Sequence, residues 1–249
     1  MEYLGEHFIL CDKMKTMMAI MLTLAWVVGV GQVELIRTDM AMVLRVGDGY
    51  TVRTYLKDDG GFMLESFSRA YAFDTCLVGL FNGGMFMEDL RPLGLYVEGG
   101  KVIREVNRRQ GSTNFYMEPN GIFGVTWLGH AAVISTASYT GEEGFAYATQ
   151  SGPMVVIDGK VNPKFNRWSE SVNRRSGVGI RTDGVLVFIL TNESINFYDF
   201  AQLFIAEGCM DALHLDSCIS GLWYGERDYG SSDGFGPMIG VRRKGDCDE

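Results

Sequence analysis

Five short stretches of this chain carry residue types from which a site can be built. Ala212-Leu213-His214-Leu215-Asp216-Ser217-Cys218-Ile219-Ser220 delivers one carboxylate, Asp216, at the end of an apolar run, with Ser220 close behind. A carboxylate at a strand end can serve as general base or nucleophile, or it can cap the loop that follows. Arg174 and Arg175 enter the apolar segment Ser176 to Ile180 side by side. Guanidinium donors match phosphate or carboxylate oxygens in pairs, and the bland alternative is two solvated charges on a strand edge. Phe81-Asn82-Gly83-Gly84-Met85 ends an apolar strand in a sharp turn, where glycine amides can face an anion and Asn82 offers a donor and an acceptor. Thr149-Gln150-Ser151 is a polar cluster between two strand patterns, and Glu118-Pro119-Asn120-Gly121 is a turn with a carboxylate in front of it.

Two chemistries are disfavoured by what is missing. Ser151 lacks the G-x-S-x-G elbow, and a serine triad would have to recruit His130 or His214, which no spacing supports. The three histidines form neither His-x-His nor H-E-x-x-H, no cysteines are spaced C-x-x-C, and so no metal site or cofactor is expected. His214 reads as an inward-facing structural residue.

These stretches need strand ends and loops to hold them. Val33 to Tyr55 alternates apolar with polar residues around Gly47-Asp48-Gly49 and reads as a hairpin. Further strands are expected at Cys76 to Phe81, Gly94 to Val97, Val102 to Glu105, Gly121 to Trp127, Phe145 to Ala148 and Met154 to Ile157. Tight reversals fall at Glu98-Gly99-Gly100-Lys101, Ile157-Asp158-Gly159-Lys160 and Thr182-Asp183-Gly184-Val185. One helix is clear, from about Phe197 to Glu207, with Phe200, Ala201, Phe204 and Ile205 on one face and Gly208 as its stop. Thirty-two glycines among many short strands and few helices predict an α+β fold, a single mixed domain with extensive, mostly antiparallel sheet.

The 249 residues, 47% of them hydrophobic, suffice for one core. A net charge of −9 disfavours a broad polyanion-binding surface, nucleic acid included, but allows a local basic pocket. Met17 to Gly31 is the one long uncharged apolar stretch; Lys13 and Lys15 precede it, and Gly29 and Gly31 close it. This is the pattern of a signal peptide, residues 1–31, leaving a domain over 32–249, and translation starting at Met14 would remove an acidic lead. The run is short for a stable membrane span, so a secreted or periplasmic protein is expected. Loss of Glu2, Glu6, Asp12, Lys13 and Lys15 leaves the balance at −8. Cys76, Cys209, Cys218 and Cys247 then form an even set with three possible disulfide pairings.

In series, the stretches resemble the phosphodiester glycosidase family, closest to its secreted bacterial branch. The likeness covers about Cys76 to Ser220: Asn82-Gly83-Gly84-Met85, Pro92-Leu93-Gly94-Leu95, Asn114-Phe115-Tyr116 with Pro119-Asn120-Gly121, Thr149-Gln150-Ser151-Gly152-Pro153-Met154, Arg174-Arg175 with Gly177-Val178-Gly179, Asn196-Phe197-Tyr198-Asp199-Phe200-Ala201 and Ala212 to Asp216. The resemblance implies a hydrolase acting on a sugar joined through its anomeric carbon to a phosphodiester or phosphoglycan, with roles for Asn82, Ser151, Arg175 and Asp216. A phosphate leaving group needs little acid help, so the site needs charge complementarity for phosphate and a sugar-side base or nucleophile. On that reading Arg174 and Arg175 hold the phosphate and Asp216 acts on the sugar side. Asn82 and Ser151 assist them, and Gln150, Gly83, Gly84, Glu118, Asn120 and Ser220 line the substrate. The family glycine after the aspartate is Ser217 here, which would be strained at positive φ. The competing readings are a sugar-phosphate-binding protein without turnover and a metal-dependent phosphodiesterase cutting P–O.

Overall fold

The structure, a computed structural model, describes residues 32–245. The signal-peptide reading of residues 1–31 and Cys247 lie outside the described residues. In chain order the elements are β1 (Val33–Arg37), β2 (Ala41–Val46), β3 (Tyr50–Tyr55), α1 (Phe67–Phe73), β4 (Leu77–Asn82), β5 (Tyr96–Glu98) and β6 (Lys101–Arg104). A single 3-10 turn (Asn114–Tyr116) leads to β7 (Gly121–Thr126), β8 (Ala131–Ser135), β9 (Phe145–Ser151), β10 (Met154–Ile157), β11 (Lys160–Val161), β12 (Ser176–Arg181) and β13 (Leu186–Thr191). The chain closes with α2 (Phe197–Ala206), β14 (Cys209–Asp216), β15 (Gly221–Tyr224), β16 (Arg227–Gly230) and β17 (Met238–Arg243).

The strands form three sheets, in the orders β1-β2-β13-β12-β14-β10-β11, β16-β15-β4-β17-β3 and β6-β5-β9-β7-β8. All the pairings between these strands are antiparallel, as the α+β expectation requires. Side-chain alternation along a strand divides the seven-stranded sheet into two buried faces. Ala41 and Val43 of β2, Val187 and Ile189 of β13, and Ala212 of β14 face α2, where Phe200, Ala201 and Phe204 cover them. Leu44 and Val46, Leu186, Phe188 and Leu190, and Leu213 and Leu215 point the other way, into a central core completed by Phe81, Phe123, Leu222 and Ile239 of the other sheets.

The helix read from spacing is α2, capped by Asn196, whose side chain accepts from the Asp199 amide, and followed by Gly208 at φ 81°. The three tight reversals join β5 to β6, β10 to β11 and β12 to β13, with Asp158 and Gly159 at φ 49° and 73°. The hairpin read across Gly47-Asp48-Gly49 is corrected. β2 is flanked by β1 and β13, and β3 pairs with β17, so the chain changes sheets at those glycines because both edges of β2 are already taken. The even set of paired cysteines is corrected too. Cys76 is disulfide-bonded, but Cys209 and Cys218 are free. Cys209 opens the eight-residue β14 and Cys218 lies two residues past its end, so strand rise alone keeps them far beyond disulfide reach.

Candidate active site

The C-terminal end of β14 is where one strand end from each sheet meets: Asp216 from β14, Asn82 from β4 and Ser151 from β9. Asp216 is largely withdrawn from solvent, and its Oδ1 accepts from the amides of Ser217 at 2.6 Å, Cys218 at 2.8 Å and Ile219 at 3.3 Å. Oδ2 has no protein partner among the described residues. Burial raises the carboxyl above the ordinary aspartate range, and the three amides act against that rise.

Behind Asp216 lies a buried hydroxyl cluster. Ser176 Oγ accepts from Asn82 Nδ2 at 2.9 Å and from the Asp216 amide at 3.2 Å, and lies 3.1 Å from Ser220 Oγ. Ser220 Oγ also reaches the Asp216 carbonyl at 3.0 Å, and Asn82 Oδ1 accepts from the Gly221 amide at 3.1 Å. Asn82 and Ser220 therefore fix the Asp216 loop from beneath. Ser151 donates to the Leu215 carbonyl at 2.7 Å and accepts from the Met85 amide at 3.4 Å, tying β9 and the turn after β4 to β14.

Beside the carboxylate, His214 and Arg175 share Ser217. The Gly152 carbonyl lies 2.9 Å from His214 Nδ1 and can only accept, so that nitrogen carries the proton. Nε2 is then an acceptor for the Ser217 hydroxyl at 3.0 Å. The ring is fully buried, edge-on to Phe197 and Phe200, and burial together with Arg175 lowers it to about 3, so it stays neutral. Arg175 is fully buried and stacks on Phe197, with Cζ 3.6 Å from the ring centroid. It donates to the Ile195 carbonyl at 2.8 Å, the Ser171 carbonyl at 3.1 Å and Ser217 Oγ at 3.3 Å. No carboxylate pairs with it among the described residues, and desolvation brings it down to about 10. A buried cation without a counter-charge sets up a field that favours an anion nearby.

Over residues 75–231 the chain matches the phosphodiester glycosidase family, and that span holds every residue just described. The chain belongs to this family. A relative, the uncharacterized protein YigE of Escherichia coli strain K12, is 37% identical over 166 residues, 66% of this chain and 65% of that one. The match therefore spans just under two thirds of that relative's length. Among solved structures, the fold is similar to the catalytic domain of zebrafish N-acetylglucosamine-1-phosphodiester alpha-N-acetylglucosaminidase, auto-inhibited by its pro-peptide. That likeness has a TM-score of 0.63 and 15% identity, and covers 86% of this chain and 82% of that one. An inferred exported protein of Burkholderia pseudomallei K96243 is similar at TM-score 0.60 and 12% identity, over 81% of this chain and 73% of that one. At such identities these two likenesses speak for the fold.

Several residues that the family resemblance placed at the substrate are engaged elsewhere. Gln150 is buried, its Oε1 accepting from the Leu95 and Asn107 amides and its Nε2 donating to the Asn107 carbonyl and Thr136 Oγ1. Its amide is saturated by the protein. The Gly83 amide donates to the Pro237 carbonyl and the Gly84 amide to Thr149 Oγ1. These glycines serve close approach rather than an anion: a Cβ on Gly84 would lie 2.7 Å from Thr149 Oγ1 and closer still to the Gln150 carbonyl. The guanidinium groups of Arg174 and Arg175 share no partner among the described residues and form no fork. Arg174 is half-buried with Nε on the Thr191 carbonyl at 2.8 Å, leaving its terminal nitrogens without protein partners among the described residues. Glu118 and Asn120 line a separate cavity of about 410 Å³. Ser217 shows no strain, since it is not among the positive-φ residues. Sequence reading missed Ser176, Ser171 and Phe197 as neighbours of the site. The Asn196-Phe197 helix start was the one available signal for Phe197. Among the described residues no three His, Cys, Asp or Glu side chains gather as a metal site would require.

Proposed function

We propose that this chain hydrolyses a glycosyl-1-phosphodiester by breaking the bond between the anomeric carbon and the phosphate oxygen, with Asp216 as sugar-side base or nucleophile. The observation that carries this reading is the asymmetry of the Asp216 carboxylate. Three backbone amides fix Oδ1, and Oδ2 is left without a protein partner among the described residues. Membership of the phosphodiester glycosidase family supports the reaction class, and the name of the zebrafish neighbour supports the type of linkage.

In this reading Arg174 touches the phosphate through its open terminal nitrogens, and Arg175 acts from below through its field and its hold on Ser217. Asn82, Ser151 and Ser220 are positioning residues, because their polar groups bond the loop and strand that carry Asp216. Phosphate departs as a weak base, which removes the need for a strong general acid.

Hydrolysis of a glycosyl phosphodiester in oxygen-18 water tests the bond assignment. Label in the released sugar is the expected result, and label in phosphate overturns it. Asp216→Asn is expected to lower kcat by about 100- to 10,000-fold with the fold intact by circular dichroism. Full activity in that variant removes Asp216 from the chemistry. A binding protein without turnover is the second reading, favoured by the loop-capping bonds of Oδ1. Calorimetric binding with no product formed would select it.

A further inference from the structure

Next to this site the structure holds a second, unassigned concavity. The cavity of about 410 Å³ is lined by Arg108, Arg109 and Lys164, with Glu118 as its one acid and Pro119, Asn120, Thr136 and Ala137 as its uncharged wall. Arg108 is held in place by the Thr136 and Tyr139 carbonyls, and among the described residues the side chains of Arg109 and Lys164 make no bond to the protein. None of the three cations forms an ion pair among the described residues, and neither does Glu118. In a chain of net charge −9, three unpaired cations around one hollow mark it as a place for negative charge.

Two chains of contact join this cavity to the catalytic end of β14. Asn120 in its wall packs on Gly152, where an added Cβ would meet Asn120 Cβ at 2.7 Å, and the Gly152 carbonyl is the partner of His214. Lys164 precedes Phe165, whose ring stacks on Phe197 at 5.0 Å, and Arg175 lies on that same Phe197. The loop running on from Lys164 brings Arg167, stacked over the exposed Trp168, and then Ser171, the partner of Arg175. The same loop thus leads from the cavity wall at Lys164 to the Ser171 carbonyl that Arg175 holds.

We propose that this cavity is a second anion subsite that takes a neighbouring phosphodiester of the same substrate molecule. The substrate class is then an oligomer of phosphodiester-linked glycosyl units, in place of a single glycosyl phosphodiester. The inference rests on the activity proposed above for Asp216. A polynucleotide also repeats phosphodiesters, but the acidic balance of the chain confines attraction to local clusters such as Arg108, Arg109 and Lys164, which suits a flexible anionic oligomer better than a nucleic-acid surface.

The test compares two synthetic substrates in steady-state assays of the full chain, one glycosyl phosphodiester with a single phosphate and one with two in the same chain. The wild type is expected to show a KM about tenfold lower for the two-phosphate substrate, and raised salt should shrink that difference. Arg109→Ala with Lys164→Ala, which removes no protein bond, should abolish the difference while leaving kcat and the single-phosphate KM unchanged. Arg109→Glu with Lys164→Glu should reverse it. Equal KM values in the wild type, or a difference that survives in the variants, overturn the subsite. If neither substrate is turned over, the activity proposal fails alone and calorimetric binding of the two-phosphate compound decides the subsite. Binding weakened about tenfold in the alanine variant supports it, and unchanged binding overturns it. A short single-stranded oligonucleotide that binds as tightly, with the same loss in the variant, also overturns the glycan assignment.

Discussion

His214 and Ser217 show how residues beside Asp216 shape the site through the tautomer and the hydrogen-bond directions they fix. The bond from Nδ1 to Gly152 fixes the tautomer, the tautomer turns the Ser217 hydrogen toward Nε2, and the Ser217 lone pairs are left for Arg175. This arrangement works only with neutral imidazole. The histidine falls from an ordinary value of 6.5 to about 3 in the fold, so between those values the unfolded chain binds the extra proton. Its contribution to stability is therefore complete above about pH 6.5 and is lost as pH falls toward 3. We expect the difference in unfolding free energy between wild type and His214→Gln to shrink by about 2 kcal/mol from pH 7 to pH 5 in urea titrations. A pH-independent difference would show that the imidazole is not held neutral.

At the scale of elements, α2 (Phe197–Ala206) does more than cover the seven-stranded sheet. Its first residue supplies the ring beneath Arg175, and its cap residue Asn196 reaches outward with Nδ2 to the Arg167 and Ser169 carbonyls at 3.3 and 3.4 Å. One side chain thus starts the helix and holds the loop that carries Arg167 and Ser171. Asn196→Ala should lower stability by about 1–2 kcal/mol, since a lost N-cap alone costs about 1. It should also raise protease sensitivity within the loop from Lys164 to Asn173 in limited digestion. A variant with wild-type stability and an unchanged digestion pattern would show that the loop is held by other contacts. The turn after β4 is the complementary case: Asn82-Gly83-Gly84 binds three sheets together through the glycine amides and the Asn82 side chain, which are all engaged within the protein.

Across the whole molecule the acidic balance and the local run of cations are compatible, because charge sums over the surface but attracts over distances of about 10 Å in salt. We propose export with cleavage after Gly31 for the chain as a whole, from the Lys13 and Lys15 flank, the apolar Met17 to Gly31 run and its small-residue close. Among the described residues no helix is long and apolar enough to cross a membrane. N-terminal sequencing of protein from the medium or periplasm should begin near Gln32, and an intact Met17 to Gly31 segment would sink the proposal.

What the sequence by itself determined is everything that depends on near neighbours. Asn196 and Gly208 set the limits of α2, Asp158-Gly159 and Gly184 set two reversals, and the apolar run from Met154 to Ile157 marks β10. The ordered motifs from Asn82 to Asp216 also identified the family, because such local patterns are written along the chain. Only the tertiary structure decided where each polar group finds its partner. Asn82 meets Ser176 across 94 residues, Ser217 meets Arg175 across 42, and Gln150 is consumed by Leu95 and Asn107. For the same reason Arg174 and Arg175, adjacent in sequence, part company, and β2 and β3 enter different sheets. Residue type fixes what a side chain can donate or accept, whereas its availability to a substrate depends on which distant residues have already satisfied it.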